Sequence, residues 1–243
     1  MEKDAAASSR LVTPEMLRNL PEPVQRYMAF TGVVGKPWIN TVRLKQRFKI
    51  RLGPDKRWMP MSAVQDYTTD PPGFVWKARF KIAGLPLMTA RDRYEGGHGY
   101  MLGKIAGLFT LFNERGEKFD QGALSRYLSE MVWFPAAFLG ENVAWQAIDN
   151  HSAQATITDC GRSISGRLFF DDAGQPTNFT TTRYYYKSRD EIQLQPWSTP
   201  MTGYAVRAGL NIPVRAKAVW NLPSGDYPYW DGEITEVEYN HPS

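Results

Sequence analysis

Apolar and polar residues alternate almost strictly from Thr41 to Leu52. Val42, Leu44, Phe48, Ile50 and Leu52 share one side, with Gln46 their only polar companion, and Arg43, Lys45, Arg47, Lys49 and Arg51 share the other. Side chains alternate faces along a strand, so this period predicts a β-strand with one dry and one wet face. Residues 74–82 (FVWKARFKI) repeat the pattern: Phe74, Trp76, Ala78, Phe80 and Ile82 inward, Lys77, Arg79 and Lys81 outward. Two such strands predict an antiparallel sheet with a basic outer surface and an aromatic-rich inner one.

Around these strands, Gly- and Pro-containing turns predict further strands at 57–68, 86–95 and 98–112, and then at 143–149, 153–159, 162–170, 177–187, 191–197, 201–207, 212–221 and 232–239. Residues 1–12 read as a loose polar tail. Thr13, as N-cap before Pro14, opens helical structure over 14–31, interrupted at Leu20–Pro23 and ended at Gly32. A longer helix is predicted over 121–139 with Asp120 as N-cap; Leu124, Tyr127, Leu128, Met131 and Phe138 recur at helical spacing, and Pro135 should kink it. This most apolar segment is the natural cover for the inner face. The expected fold class is therefore α+β: a single domain over 13–243 with a strongly curved antiparallel sheet, an incomplete barrel, packed on a few helices.

The composition is that of a globular chain: 243 residues, 42% hydrophobic, 22% charged, net charge +4. A basic sheet face could contact an anionic membrane surface, although charged faces also keep sheets from associating. Cations and aromatics lie on opposite faces of the strands, which argues against nucleic acid, whose single strands need both in one groove. The lone cysteine, Cys160, forbids an intrachain disulfide or a cysteine metal cluster. With no apolar run of signal or membrane-spanning length, the expected location is cytoplasmic.

No phosphate loop, dinucleotide fingerprint or nucleophile elbow is present, and His98, His151 and His241 lack metal-ligand spacing, so neither cofactor nor metal is expected. Better candidates are polar groups on an apolar face. Asp92 shares a strand face with Met88, Ala90 and Tyr94, and Glu130 lies on the Ala123, Tyr127 and Phe134 side of the predicted helix. A buried carboxylate must be paired, hydrogen-bonded or neutralised. It is either a structural ion pair, for Glu130 with Arg126 four residues before it, or an acid or base of raised pKa. In the catalytic reading Asp92 or Glu130 moves protons and Tyr94 donates a hydrogen bond. A curved sheet of this length is hard to fill with a few helices, which leaves room for a cavity. Its expected ligand-binding residues are Trp76, Phe80 and Met88 from the strands, Tyr127, Trp133 and Phe134 from the helix, and Trp220 from a late strand.

The ordered blocks LPEPVQRYMAFTGVVGKP, GFVWKARF, RDRYEGGHGYM, RYLSEMVWFPAAFL and IPVRAKAVWNLPSGDYPYWDGEITEVEYN resemble a family of bacterial proteins of unknown function. The resemblance implies an architecture similar to the periplasmic lipoprotein-carrier fold and implies no particular chemistry. Two expectations follow. One is a binding protein holding a hydrophobic small molecule or lipid between sheet and helices. The other is an enzyme, such as a cyclase, isomerase or hydrolase, using the same cavity for acid/base work.

Overall fold

The computed structural model describes residues 10–82, 85–187 and 191–241. The alternation of the first strand becomes burial: on β1 (Thr41–Ile50), Val42, Leu44, Gln46 and Phe48 are buried while Lys45, Arg47 and Lys49 are exposed. The outer stripe is less basic than its sequence suggests, because flanking strands supply carboxylates. Arg43 meets Asp66 at 2.6 Å, Lys45 meets Glu236 at 2.6 Å and Lys49 meets Asp231 at 3.2 Å.

After β1 the chain meanders through β2 (Met59–Thr69), β3 (Pro72–Ile82), β4 (Leu85–Glu95), β5 (His98–Ile105) and β6 (Phe109–Arg115). A second run comprises β7 (Val143–Asp149), β8 (Ser152–Asp159), β9 (Arg162–Phe170), β10 (Pro176–Tyr186), β11 (Ile192–Ser198), β12 (Met201–Arg207), β13 (Leu210–Leu222) and β14 (Gly225–Tyr239). Together they form a 14-stranded antiparallel sheet in the order β6-β5-β4-β3-β2-β1-β14-β13-β11-β10-β9-β8-β7, with β12 on β13. It curls into a half-barrel. The seam between the two runs is β1 against β14, from Val42 opposite Tyr239 to Ile50 opposite Trp230.

Two helices serve this sheet, α1 (Glu22–Thr31) and α2 (Glu117–Glu130). Because α2 connects β6 to β7, the two outer edges, it crosses the concave face as a strap and packs on β5 at one side and β9 and β10 at the other. Its buried side holds Ala123, Leu124, Tyr127 and Leu128. Close approach of strands and rings is managed with glycine: a Cβ on Gly166 would lie 2.1 Å from the Phe179 ring, and one on Gly103 would lie 2.3 Å from the Phe112 ring.

Several sequence expectations are corrected. The predicted strand 98–112 is two, split by a tight turn at Ala106 and Gly107, both left-handed (φ 50 and 72). The covering helix starts earlier and stops sooner. Gly116 (φ 108) precedes its first turn, and after Glu130 the chain continues in 3₁₀ turns at Met131–Trp133 and Pro135–Leu139, as Pro135 requires. Asp120 is thus no N-cap. Its buried carboxylate accepts the Gly99 N–H at 2.8 Å and faces Arg162 at 3.3 Å, tying the strap to β5 and β9. Thr13 makes no side-chain cap, and Pro14–Leu17 is a 3₁₀ turn. Of the predicted tail, residues 1–9 lie outside the described residues, as do residues 83–84 where β3 meets β4. Residues 10–12 are not loose: the Val12 N–H donates to the Lys36 carbonyl at 2.9 Å, and Arg10 stacks on Trp38 at 3.8 Å.

Candidate functional site

Inward positions of β1, β2 and β4 face the same turn of α2. Strand alternation places Gln46, Gln65, Tyr67 and Asp92 on the concave side, and helical spacing places Arg126 and Glu130 opposite them. Arg126 is the hub. Its Nη1 donates to Asp92 Oδ2 at 2.6 Å, its Nε to Glu130 Oε1 at 2.8 Å and its Nη2 to Gln65 Oε1 at 3.1 Å. Glu130 Oε2 also accepts from Gln65 Nε2 at 2.8 Å and from the Tyr67 hydroxyl at 3.0 Å. Trp76 Nε1 donates to Gln46 Oε1 at 2.9 Å, and Gln46 Nε2 donates to Gln65 at 3.2 Å. The guanidinium stands about 5 Å from the Phe74 and Trp76 rings.

Burial and charge oppose each other throughout this network. Burial works against the Arg126 charge, but Glu130 and Asp92 outweigh it and hold the guanidinium protonated. One cation is shared between two carboxylates, so burial prevails at Asp92 and its pKa lies above the ordinary aspartate value despite the Arg126 contact. Burial, with the Glu130 charge second, raises Tyr67 well above the ordinary phenol range, which keeps its hydroxyl a donor.

This network forms one wall of a cavity of about 270 Å³ between the sheet and α2. Trp76, Trp133, Trp197, Trp220 and Trp230 contribute to the rest of its lining. Arg183 of β10 also lines it, its guanidinium 4.4 Å from the Trp197 ring and 5.9 Å from Trp220. Its Nη2 donates to the Gly122 carbonyl at 2.9 Å, while its buried Nε has no protein acceptor. Among the described residues, no carboxylate forms an ion pair with Arg183, and no three His, Cys, Asp or Glu side chains converge to hold a metal.

Asp92, Glu130, Trp76, Trp133 and Trp220 therefore meet at one cavity. Other sequence candidates do not reach it. Tyr94 is buried, and its hydroxyl donates to Asp159 Oδ2 at 2.6 Å; burial first and that hydrogen bond second raise its pKa, so it serves β4–β8 contact. Tyr127 donates to the Thr68 carbonyl at 2.9 Å, and Phe134 packs its ring 4.7 Å from Tyr67, both within the core. Phe80 and Met88 face each other across β3 and β4, away from the cavity wall. Cys160 is exposed in the β8–β9 turn, where the Asp159 charge raises its thiol pKa, the opposite of an activated nucleophile. Sequence reasoning missed Gln65, Tyr67 and Arg183, and missed Arg126 as a hub. Gln65 carried the same signal as Gln46, a polar side chain in an inward series (Met61, Ala63, Gln65, Tyr67). Arg183 sits in TTTRYYY, where no alternation marks a face.

The class these elements define is an α+β half-barrel of curled antiparallel sheet with a helix strapped across its concave face. The chain belongs to the family of unknown function DUF6544, whose model matches residues 10–232. It is similar in structure to a LolA superfamily protein from Nitrosomonas europaea (TM-score 0.50, 10% identity, 91% of this chain and 93% of that one). It also matches a DUF1329 family protein from Desulfovibrio piger (TM-score 0.47, 8% identity, 91% and 94%). A third match is the lipoprotein LppX of Mycobacterium tuberculosis (TM-score 0.30, 15% identity, 95% and 97%). The first likeness establishes the fold alone. A search of the curated proteins returned no match.

Proposed function

We propose that the protein binds a hydrophobic small molecule in the cavity between the half-barrel and α2. The observation that carries this reading is the cavity itself, about 270 Å³ walled by tryptophans on one side and a satisfied ion-pair network on the other. That size lies just below the usual range of small-molecule sites, ~300–1,000 Å³, and suits a single chain or compact ring system better than a multi-chain lipid. Arg183, with no ion-paired carboxylate among the described residues, sets a positive charge in the lining beside such a molecule.

Acid/base catalysis on a similar molecule is the second reading, favoured by the raised pKa of Asp92 at the cavity wall. It is the weaker one, because both carboxylates are engaged by the same guanidinium. Titration with Nile red, read by dye fluorescence, tests the binding reading. Wild type should bind one dye. Ala218→Trp, which fills the cavity from β13, should bind about tenfold more weakly or worse, a loss of ~1.4 kcal/mol, while melting close to wild type. Equal binding by both proteins, or none by wild type, would refute the cavity's role.

A further inference from the structure

The convex face of β3, β4 and β5 carries a second concentration of charge unlike that on β1. Lys77 sits directly opposite Arg91, and Arg79 is opposite Thr89, which in turn faces Lys104. With Thr89 and Leu102, these cations line one outer groove. Like charges directly opposed across a ladder destabilise a sheet unless something neutralises them. The β1 cations Arg43, Lys45 and Lys49 have their neutralising carboxylates, but here the neighbouring strand offers Val64 opposite Lys77 and Ser62 opposite Arg79. Beyond β5 it offers Thr110 opposite Lys104. Among the described residues, no carboxylate pairs with Lys77, Arg79, Arg91 or Lys104.

A different kind of exposure adjoins this patch. The β5–β6 turn presents Leu108 at 81% and Phe109 at 70% exposure, beside Ile105 and with Leu87 held next to it by the Ala106 N–H to Leu87 carbonyl bond at 2.8 Å. Leu87, 42% exposed, lies two residues before Thr89 on β4, so the basic groove ends beside the apolar tip. Unpaired cations beside exposed leucine and phenylalanine match a bilayer interface, where anionic headgroups meet the former and acyl chains the latter.

We infer that the β3–β5 convex face and the β5–β6 tip form a docking surface for an anionic lipid bilayer. Vesicle flotation tests this with phosphatidylcholine alone and with phosphatidylcholine mixed with phosphatidylglycerol. Wild type should float with the mixed vesicles, far less with phosphatidylcholine, and be released by salt. K77Q/R91Q should weaken binding about 25-fold, the product of two charges each contributing about fivefold near a surface. It should not lower the melting temperature, since it removes a repulsion. R43Q/K45Q makes the same change in net charge on the carboxylate-paired stripe and should bind as wild type does. Leu108→Ser/Phe109→Ser should lose retention on both vesicle types. Equal loss in R43Q/K45Q and K77Q/R91Q would overturn the assignment to this patch. Absence of wild-type binding, or retention only on a polyanion such as heparin, would overturn the membrane as partner. Nile red binding is independent of all these outcomes.

Discussion

Replacing Arg126 by Met keeps most of the side-chain volume and removes the only cation that, among the described residues, contacts Asp92 and Glu130. Those carboxylates have side-chain exposures of only 12%, so water cannot take over the guanidinium's role. Breaking a buried pair by deleting one partner typically costs about 3–5 kcal/mol. In a chain of this size that is a fall of roughly 6–20 °C in melting temperature. The loss should fall unequally on the two acids. Glu130 retains Gln65 and Tyr67 as donors, while Asp92 loses its one side-chain partner among the described residues. Adding Asp92→Asn to the Met variant should therefore recover more stability than adding Glu130→Gln. The pH dependence has a definite sign. Burial already sets the folded-state pKa of Asp92 above its unfolded value of about 3.9, and removing Arg126 raises it further. A raised carboxyl favours the folded state below the unfolded pKa and loses that contribution as pH rises through the folded one. The deficit of the Met variant, read from urea midpoints, should be largest near neutrality and shrink as the pH approaches the unfolded value. A variant as stable as wild type, or a deficit independent of pH, would refute the shared-cation account.

Tyr94→Phe should cost about 1.5–3 kcal/mol in urea unfolding, the range for a hydrogen bond to a charged acceptor, because Asp159 loses its 2.6 Å donor. It should leave Nile red affinity unchanged; a selective loss of affinity would return Tyr94 to the site. Gly166→Ala should destabilise by about 1–3 kcal/mol as the new methyl meets the Phe179 ring. Shortening the ring with Phe179→Leu in the same chain should relieve part of that loss, and strictly additive effects of the two changes would contradict the contact.

Strand existence and facing were legible because one side of most strands is dry, so a period of two survives in residues such as Val42–Ile50. The convergence of Asp92 and Glu130 was only half legible. Each stood out as a carboxylate among apolar neighbours, but their common partner depends on α2 crossing from β6 to β7, a fact of strand order that no local pattern encodes. Arg126 was visible as the i−4 neighbour of Glu130, and a surface pair satisfied the same spacing. Tyr94, Tyr127 and Phe134 were misassigned to the site for one reason. Periodicity separates inward from outward, but it does not separate a side chain packed against a neighbour from one facing empty space.

The seam gives the order of assembly a consequence for biosynthesis. The strand at the chain's far end is the one that sits beside β1, so neighbouring strands can pair as they emerge while β1 keeps one edge open until β14 arrives. At ribosomal rates of about 5–20 residues per second, the interval between them lasts roughly 10–35 s. During that time Lys45 and Lys49 lack the Glu236 and Asp231 that later neutralise them. A nascent β1 is then a strongly positive open strand, repelled by the same strand on a neighbouring nascent chain. The basic stripe that is almost silent in the finished sheet thus guards the edge while the sheet is still incomplete.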